Sequence, residues 1–250
     1  MNISYKGETK MQYTVSVVMA TYNGGKYVNA QIESILSQLS ESDELIISDD
    51  GSTDGTLDII NHYAKINKNV VVYEGPHKGY IENFQFLLSK TKKDLVMISD
   101  QDDIWKCDKI KKVKQAFADN TQAWLVVHDA SFINDEGKAL EGTIFAERKA
   151  KQGFWKNWLK SMYYGCCMTL KKEYVDFITP FPYTVAAYDQ WIGLFAELKK
   201  KSVMLNEQLI NHRIHNNNQS VKRSFSYRIW FRYEIIRYVV ALKHREMGKI

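Results

Sequence analysis

The chain has 250 residues, of which 45% are hydrophobic and 25% are charged, and a formal net charge of +5. This composition is typical of a folded globular protein and excludes extensive disorder, and the charge is too small to indicate a nucleic-acid partner. The three cysteines form neither a disulfide framework nor a zinc-binding spacing, so we expect a reducing, cytoplasmic environment. Residues 1–10 are predicted to be a polar tail rather than a signal peptide, and no apolar run is long enough to span a membrane.

Short apolar runs alternate with helical periodicities in the first half of the chain. Continuous runs rich in Val and Ile predict strands that are buried on both faces. These runs are Val15–Met19, Leu45–Ser48, Val70–Tyr73, Leu95–Ser99 and Trp124–Val127. Apolar residues with helical spacing lie between them, within 28–39, 57–64, 81–88 and 110–117. This alternation predicts an α/β fold with a mostly parallel central sheet flanked by helices.

The second half of the chain is less regular. We predict a helix from Asp189 to Lys200 and one or two strands within 202–220, which end in a cluster of His and Asn. The segment 223–250 mixes large apolar residues with regularly spaced arginines and predicts a basic amphipathic helix. Such a helix either rests on an anionic membrane surface or packs on the domain with its arginines in water, and the sequence leaves both open.

Polar and acidic residues follow the predicted strands, which end in "ATYNGG", "SDDGSTDG", "SDQDDIW" and "HDA". Ligands of parallel sheets bind beyond the carboxyl ends of the strands. Asp100, Asp102 and Asp103 crowd one such end, and like charges this close cost stability unless a cation neutralises them. Carboxylate oxygens suit Mg²⁺ or Mn²⁺, commonly together with substrate phosphates. The alternative is a solvated turn that caps the next helix.

A second acidic pair, Asp49 and Asp50, ends the predicted second strand. Turn formation and helix capping account for the Gly, Ser and Thr that follow the pair. They do not account for two adjacent carboxylates. A carboxylate at this position can accept hydrogen bonds from a base N–H or a ribose hydroxyl.

Three of these motifs together resemble the family 2 glycosyltransferases, which have the GT-A fold. "SVVMATYNGG", "ELIISDDGSTDGT" and "DLVMISDQDDIW" occur in the family's order between Val15 and Trp105. "YYGCCMTL", "YDQW" and "HRIHNNNQS" further resemble the bacterial rhamnosyltransferase-like branch. The resemblance implies a GT-A domain over 11–222, with a nucleotide-binding half at 11–130 and an acceptor-binding half at 131–222. The C-terminal helix 223–250 would extend this domain.

The resemblance also implies roles for individual residues. It assigns nucleotide binding to Thr21, Tyr22, Asn23, Asp50, Asn83 and Asp100. Asp102 would bind the divalent cation, Mn²⁺ or Mg²⁺. Asp189 matches the family's catalytic base, although Tyr188 stands where the family usually has a second acidic residue.

Other polar residues near the strand ends have more than one interpretation. Candidate contacts to the diphosphate or the metal are Asp103, Arg213 and His215, which could instead merely face water. Candidate contacts to the acceptor are His128, Asp129 and Trp191. For the pair that ends the fifth strand, His128 and Asp129, structural hydrogen bonding is equally compatible with the sequence.

The resulting functional hypothesis is an inverting, metal-dependent glycosyltransferase. It would move a sugar from dTDP-rhamnose or a UDP-sugar to a hydroxyl of a cell-surface polysaccharide or lipid-linked glycan, peripherally at the inner face of the membrane. One alternative is a nucleotide-sugar or carbohydrate binding module without turnover. Another is a metal-dependent phosphohydrolase, which would need a nucleophilic Asp where this chain has Thr21-Tyr22-Asn23.

Overall fold

A computed structural model describes residues 13–182, 184–185, 187–215 and 224–247. The predicted polar tail 1–10, the asparagine run 216–218 and the proposed domain boundary at 222 lie outside these residues. So do the two ends of the predicted C-terminal segment, residue 223 and residues 248–250.

Four parallel strands form the first part of the sheet, as their continuous apolar sequences predict. They are β1 (Val15–Thr21), β2 (Glu44–Asp49), β3 (Val70–Glu74) and β4 (Leu95–Ser99), in the spatial order β3-β2-β1-β4. Three helices connect them: α1 (Val28–Leu36), α2 (Thr56–Ile66) and α3 (Tyr80–Lys90). Because these strands are parallel, β1, β2 and β4 all end at the same edge of the sheet, where the acidic motifs begin.

The second part of the sheet is mixed. Its strands are β5 (Ile104–Trp105), β6 (Leu125–Ile133), β7 (Ala139–Thr143), β8 (Met168–Lys171) and β9 (Ser202–Arg213), which complete the order β4-β8-β6-β9-β5 with β7 beside β6. Among the described residues four strand pairings are parallel and four antiparallel. The prediction of a mostly parallel sheet therefore holds for the first half of the chain, whereas β8 enters antiparallel between β4 and β6.

The helices of the second half cover this part of the sheet. They are α4 (Lys109–Asp119), α5 (Ile144–Arg148), α6 (Phe154–Leu159), α7 (Lys172–Ile178), α8 (Tyr188–Leu198) and α9 (Phe225–Met247), with a 3₁₀ turn at Gly165–Cys167. The short β5 pairs antiparallel with the end of β9, which sets Ile104 opposite Asn211. This pairing brings the residues that follow Asn211 to the acidic turn that precedes β5.

The C-terminal helix α9 packs on the domain through one face. Phe231 and Ile235 are buried, and the Tyr238 ring meets Trp191 of α8 edge-on at 5.2 Å. The indole N–H of Trp158 in α6 donates to the carbonyl of Arg232 at 3.1 Å. Of the two arrangements that the sequence left open, packing on the domain is thus present. None of the helices in the described part of the chain has the length and apolarity needed to cross a bilayer.

Candidate active site

Three carboxylates cluster in the turn between β4 and β5. One oxygen from each of Asp100, Asp102 and Asp103 lies within 4.8 Å of the others. Asp103 is fully buried, and its Oδ1 accepts hydrogen bonds from Nδ1 of His212 at 2.9 Å and from the backbone N–H of Arg213 at 3.0 Å. The antiparallel β5–β9 pair therefore supplies positive partners to the acidic turn from more than 100 residues along the chain.

The His212 imidazole carries the charge that holds Asp103 ionised. Burial opposes protonation of His212, but the charge of Asp103 and the hydrogen bond to it raise the pKa of His212 to about 10. In return, although burial opposes its ionisation, His212 lowers the pKa of Asp103. At neutral pH the two side chains form a buried ion pair that fixes the end of β9 to the acidic turn.

The pKa values of Asp100 and Asp102 are raised, whereas that of Asp103 is lowered. Burial, followed by the charges of Asp103 and Asp102, raises the pKa of Asp100 to about 7. Burial and the charge of Asp103 also raise the pKa of Asp102, against the hydrogen bond that its Oδ2 shares with Nε2 of His215 at 2.8 Å. These two carboxylates hold excess negative charge that a cation would relieve.

The cluster fits a hard divalent cation. Oδ2 of Asp103 is buried and has no hydrogen-bond partner among the described residues, so a fully buried acceptor atom is left unsatisfied. A second set of three groups, Asp103, Cys166 and His212, also lies within 4.8 Å. That set offers a soft thiol and a protonated imidazole, which suit Mg²⁺ or Mn²⁺ poorly, whereas carboxylate oxygens suit them well.

Arg213 and His215 form one wall of the cluster with the loop after β1. The Arg213 guanidinium donates to the backbone carbonyls of Asp102, Asn134 and Asp135 at 2.8, 3.0 and 2.9 Å. It therefore braces the wall, and we do not assign it a diphosphate contact. The His215 ring lies 4.8 Å from the ring of Tyr27 and is hydrogen-bonded to Asp102, and its contact with a diphosphate or metal stays a prediction.

The end of β2 is organised by its two aspartates in different ways. Asp49 accepts from the hydroxyls of Thr21 at 2.8 Å and Ser52 at 2.6 Å, and Thr21 is buried, so its nucleotide contact stays a prediction. Asp50 accepts the backbone N–H groups of His77 and Gly79, each at 2.7 Å. Asp50 thus holds the loop before α3 beside the predicted nucleotide site.

The remaining predicted nucleotide residues differ in exposure. The Tyr22 side chain is 52% exposed and free to stack on a base, and Asn23 is also exposed, with its Oδ1 accepting the backbone N–H of Thr53 at 2.9 Å. Asn83 is buried and donates to the carbonyl of Ser48 at 3.0 Å, while its Oδ1 has no partner among the described residues. Tyr22 and Asn23 are therefore the accessible members of this group, and Asn83 lies beneath the surface.

Asp189 lies in the first turn of α8, half-buried. Burial raises its pKa to about 6, although the backbone N–H of Gln190 and the charge of Arg148 favour the ionised form. The adjacent Tyr188 is buried, and after burial the charges of Asp100 and Asp189 raise its pKa well above the usual value. Tyr188 therefore lies within the electrostatic reach of both the acidic cluster and Asp189.

A glycine makes room for Tyr188. A Cβ atom at Gly165 would lie 2.0 Å from the Tyr188 hydroxyl oxygen, which is far inside van der Waals contact. The rest of the Tyr188 ring packs against Phe84 with 4.8 Å between ring centroids. Tyr188, which stands where the family usually has a second acidic residue, thus occupies a tight position against Gly165 and Phe84.

The three predicted acceptor contacts lie in the interior. His128 is fully buried and its pKa is lowered well below the usual value by burial and by the charge of Lys109. Oδ1 of Asp129 accepts the backbone N–H groups of Ala130 and Phe145, both at 2.8 Å. Trp191 is 5% exposed and packs against α9. Their burial does not fit acceptor contacts, so we assign all three structural roles.

From the sequence, no role was assigned to Gln101 or to His212. The Gln101 amide accepts from the Tyr22 N–H and donates to the Tyr22 carbonyl, both at 3.0 Å, which ties the acidic turn to the loop after β1. Its only signal was its place between Asp100 and Asp102. His212 had a signal in the "HRIH" spacing, but only the β5–β9 pairing shows that it meets Asp103.

These features together describe a class of protein: an α/β sheet with a carboxylate cluster at one edge and a separate half-buried Asp at the start of a helix, as in nucleotide-sugar transferases. The sequence profile of glycosyl transferase family 2 matches residues 16–179. The chain belongs to this family and is a glycosyltransferase, as the motif resemblance predicted.

Two relatives extend the match over most of the chain. TuaG of Bacillus subtilis, named as a teichuronic acid biosynthesis glycosyltransferase, is 29% identical over 234 residues, which cover 91% of this chain and 90% of TuaG. The dTDP-rhamnosyl transferase RfbG of Shigella flexneri is 26% identical over 215 residues, which cover 80% of this chain and 73% of RfbG.

Solved structures confirm the predicted GT-A fold. Staphylococcus aureus TarS 1-349 in complex with UDP-GlcNAc matches with a TM-score of 0.66 and 19% identity, over 91% of this chain and 66% of that one. The mannosyltransferase PcManGT from Pyrobaculum calidifontis in complex with GDP-Man and Mn²⁺ matches with a TM-score of 0.64 and 17% identity, over 82% and 58%. This chain spans less than two thirds of either solved protein.

Proposed function

We propose that this chain is a divalent-cation-dependent, inverting glycosyltransferase that uses a nucleotide-diphospho-sugar donor. Its acceptor would be a hydroxyl of a cell-surface polysaccharide or lipid-linked glycan. The observation that carries the proposal is the carboxylate cluster of Asp100, Asp102 and Asp103, with the orphan Oδ2 of Asp103 at its base. The relatives support donors of two kinds, since RfbG is named for dTDP-rhamnose and the TarS structure contains UDP-GlcNAc.

In the proposed reaction the chain's residues hold the donor and take up one proton. Asp102 would hold the cation, Mn²⁺ or Mg²⁺, as the sequence predicts. We add Asp100, which the sequence assigned to the nucleotide, because its carboxylate lies within 4.8 Å of the other two, and the His212–Asp103 pair would fix the turn beneath them. A cation bound there supplies positive charge for the departing diphosphate. The exposed Tyr22 ring would stack on the base, and Asp50 would keep the neighbouring loop in place.

Asp189 would act as the general base. Its raised pKa of about 6 leaves it mostly ionised at neutral pH, yet more basic than an ordinary carboxylate. It would accept the proton of the acceptor hydroxyl as that oxygen bonds to the anomeric carbon and the bond to the diphosphate oxygen breaks. Attack from the face opposite the diphosphate inverts the anomeric configuration.

A binding and activity experiment tests the proposal. We expect UDP-, GDP- or dTDP-sugars to raise the melting temperature of the protein, because a ligand that binds the native state stabilises it. The increase should need Mn²⁺ or Mg²⁺ and should disappear in Asp102→Asn. A screen in which no nucleotide sugar stabilises the protein, with or without the cation, rules out the donor assignment.

Catalysis is tested separately from binding. Asp189→Asn should keep nucleotide-dependent stabilisation but lower the transfer rate by about 10²–10⁴-fold, as expected for loss of a general base. The matched control is Asp58→Asn, because Asp58 is also in the first turn of a helix, α2, but is exposed. Equal turnover in Asp189→Asn and Asp58→Asn contradicts the assignment of the base.

A further inference from the structure

Large apolar side chains are exposed on two neighbouring helices, and we call this area the α6–α9 surface. Its members, with their exposed fractions, are Trp155 (66%) and Leu159 (58%) of α6 and Ile229 (51%), Trp230 (40%), Tyr233 (62%) and Val240 (46%) of α9. Scattered exposed apolar residues are ordinary on soluble proteins, but contiguous ones mark interaction sites. These six residues therefore indicate an interaction site only if they are contiguous.

Contacts between the two helices show that they are neighbours. The indole of Trp158 in α6 donates to the carbonyl of Arg232, and the Nε of Arg232 donates back to the carbonyl of Trp158 at 3.3 Å. The guanidinium also donates to the carbonyl of Leu159. The Trp155 ring meets the Trp158 ring edge-on at 5.9 Å. The exposed residues of α6 thus adjoin the middle of α9.

The exposed stripe of α9 is separate from the face that holds the helix on the domain. Ile229, Tyr233 and Val240 recur at helical spacing and are exposed, whereas Phe231, Ile235 and Val239 are buried. The helix is therefore apolar on two faces. Packing on the domain explains one of them and leaves the other open to a partner.

The basic amino-acid sequence of the two segments that carry this surface indicates the partner. The segment 148–160 contains five basic and no acidic residues, and 224–247 contains five basic and two acidic residues. The excess of positive charge in these two segments exceeds the net charge of +5 of the whole chain, so the remainder is net acidic. Two copies joined through this surface would bring like charges together, which disfavours a dimer. An anionic lipid surface is complementary to both its charge and its apolar residues.

We propose that the α6–α9 surface docks on an anionic membrane and holds the active site next to a lipid-linked acceptor. The membrane contact is inferred from the α6–α9 surface itself, whereas the position next to a lipid-linked acceptor rests on the proposed function. Indole and phenol rings with basic neighbours are the side chains that lie well at a lipid headgroup boundary. The contact is peripheral, since neither helix, over its described residues, has the length and apolarity needed to cross the bilayer.

The surface adjoins the proposed base. Gln190 follows Asp189 in α8, and its Nε2 donates to the carbonyls of Asn157 and Trp158 in α6 at 2.8 and 3.3 Å. The last turn of α6 is thus bonded to the residue next to Asp189. A membrane that contacts Trp155 and Leu159 would lie at the side of the molecule where Asp189 receives the acceptor hydroxyl.

Flotation with vesicles tests the membrane contact without any need for activity. The full chain is mixed with phosphatidylcholine vesicles, with or without about one third phosphatidylglycerol. We expect flotation only with the anionic vesicles. Trp155→Ser/Leu159→Ser and Lys160→Glu should each weaken binding by about fivefold or more, because each removes apolar or electrostatic attraction at the surface. The matched controls, Ile66→Ser and Lys65→Glu, alter exposed residues of α2 and should bind as the parent does.

The outcomes separate this inference from the proposed function. Equal binding by the Trp155→Ser/Leu159→Ser variant and the parent, or no binding by the parent, overturns the membrane contact. A variant that converts a dimer to a monomer in light scattering, without vesicle binding, also overturns it and makes the surface an interface between copies. Nucleotide-dependent thermal stabilisation is measured on the same proteins. If nucleotide sugars do not stabilise a protein that still binds vesicles, the proposed function is rejected and the membrane contact stands.

Discussion

Replacing His212 by leucine tests the ion pair that supports the acidic turn. The substitution removes the buried positive charge beside Asp103. Of the two described hydrogen bonds to Oδ1 of Asp103, the one from the backbone N–H of Arg213 would remain. Asp103 has no exposed side-chain surface through which water could compensate. His212→Leu should therefore lower the free energy of unfolding far more than a substitution at an exposed residue does.

The size of the effect follows from the pKa of His212. The pKa rises from 6.5 to about 10 on folding, which corresponds to about 5 kcal/mol of stabilisation when the imidazole is protonated. Breaking a buried pair by removing one partner costs about 3–5 kcal/mol. Because the folded pKa is the higher one, this contribution is complete below about pH 6.5 and is lost as the pH rises to about 10.

Urea unfolding of the metal-free protein between pH 6 and pH 10 measures this contribution. We expect the parent to lose stability steadily across this range, and His212→Leu to begin about 3–5 kcal/mol lower at pH 6.5 with a much flatter dependence. The control is His62→Leu, because His62 is exposed on α2. A cost below about 1 kcal/mol for His212→Leu, or an unchanged pH dependence, refutes the buried ion pair.

Three further predictions concern the same site. Gly165→Ala should lower the free energy of unfolding by about 1–3 kcal/mol in urea, because the new Cβ would overlap the Tyr188 hydroxyl; unchanged stability contradicts the tight fit. Calorimetry should show cation affinity rising about tenfold per pH unit below pH 7, where Asp100 must release a proton, and Asp100→Asn should remove that dependence. Asp50→Ala should speed hydrogen exchange at the two backbone N–H groups that its carboxylate binds; unchanged protection there means that the loop needs no support from Asp50.

The first half of the fold was predictable because its signals are local. Continuous apolar runs define β1 to β4, and the structure extends the predicted strands by two residues at most. Turn residues and acidic motifs follow each strand directly, so their common position at one sheet edge follows from parallel topology. The resemblance to family 2 glycosyltransferases, confirmed by the family match, rests on the same local motifs.

The second half was less predictable because its pairings are between distant segments. Nothing in the sequence near Asp103 indicates that His212 will lie beside it, since the contact depends on β9 pairing with a two-residue strand. The "HDA" motif was likewise predicted to end the fifth strand. β6 in fact continues to Ile133 and buries His128 in the middle of the strand.

The role of Arg213 shows a related difficulty. An arginine near acidic residues predicts a phosphate contact, but its guanidinium is bonded to three carbonyls from two separate turns. Those turns come together only in the folded sheet. The sequence gives the residue type and its spacing, while the position of the acceptor atoms decides whether the side chain faces the ligand or the protein.

Diffraction from crystals soaked with Mn²⁺ and a nucleoside diphosphate tests the central claim most directly. We predict an anomalous manganese peak within coordination distance of an Asp102 carboxylate oxygen, with the diphosphate on its open side and the base near Tyr22. A manganese peak and nucleotide bound elsewhere, with the carboxylates of the acidic turn contacting neither, would contradict the account.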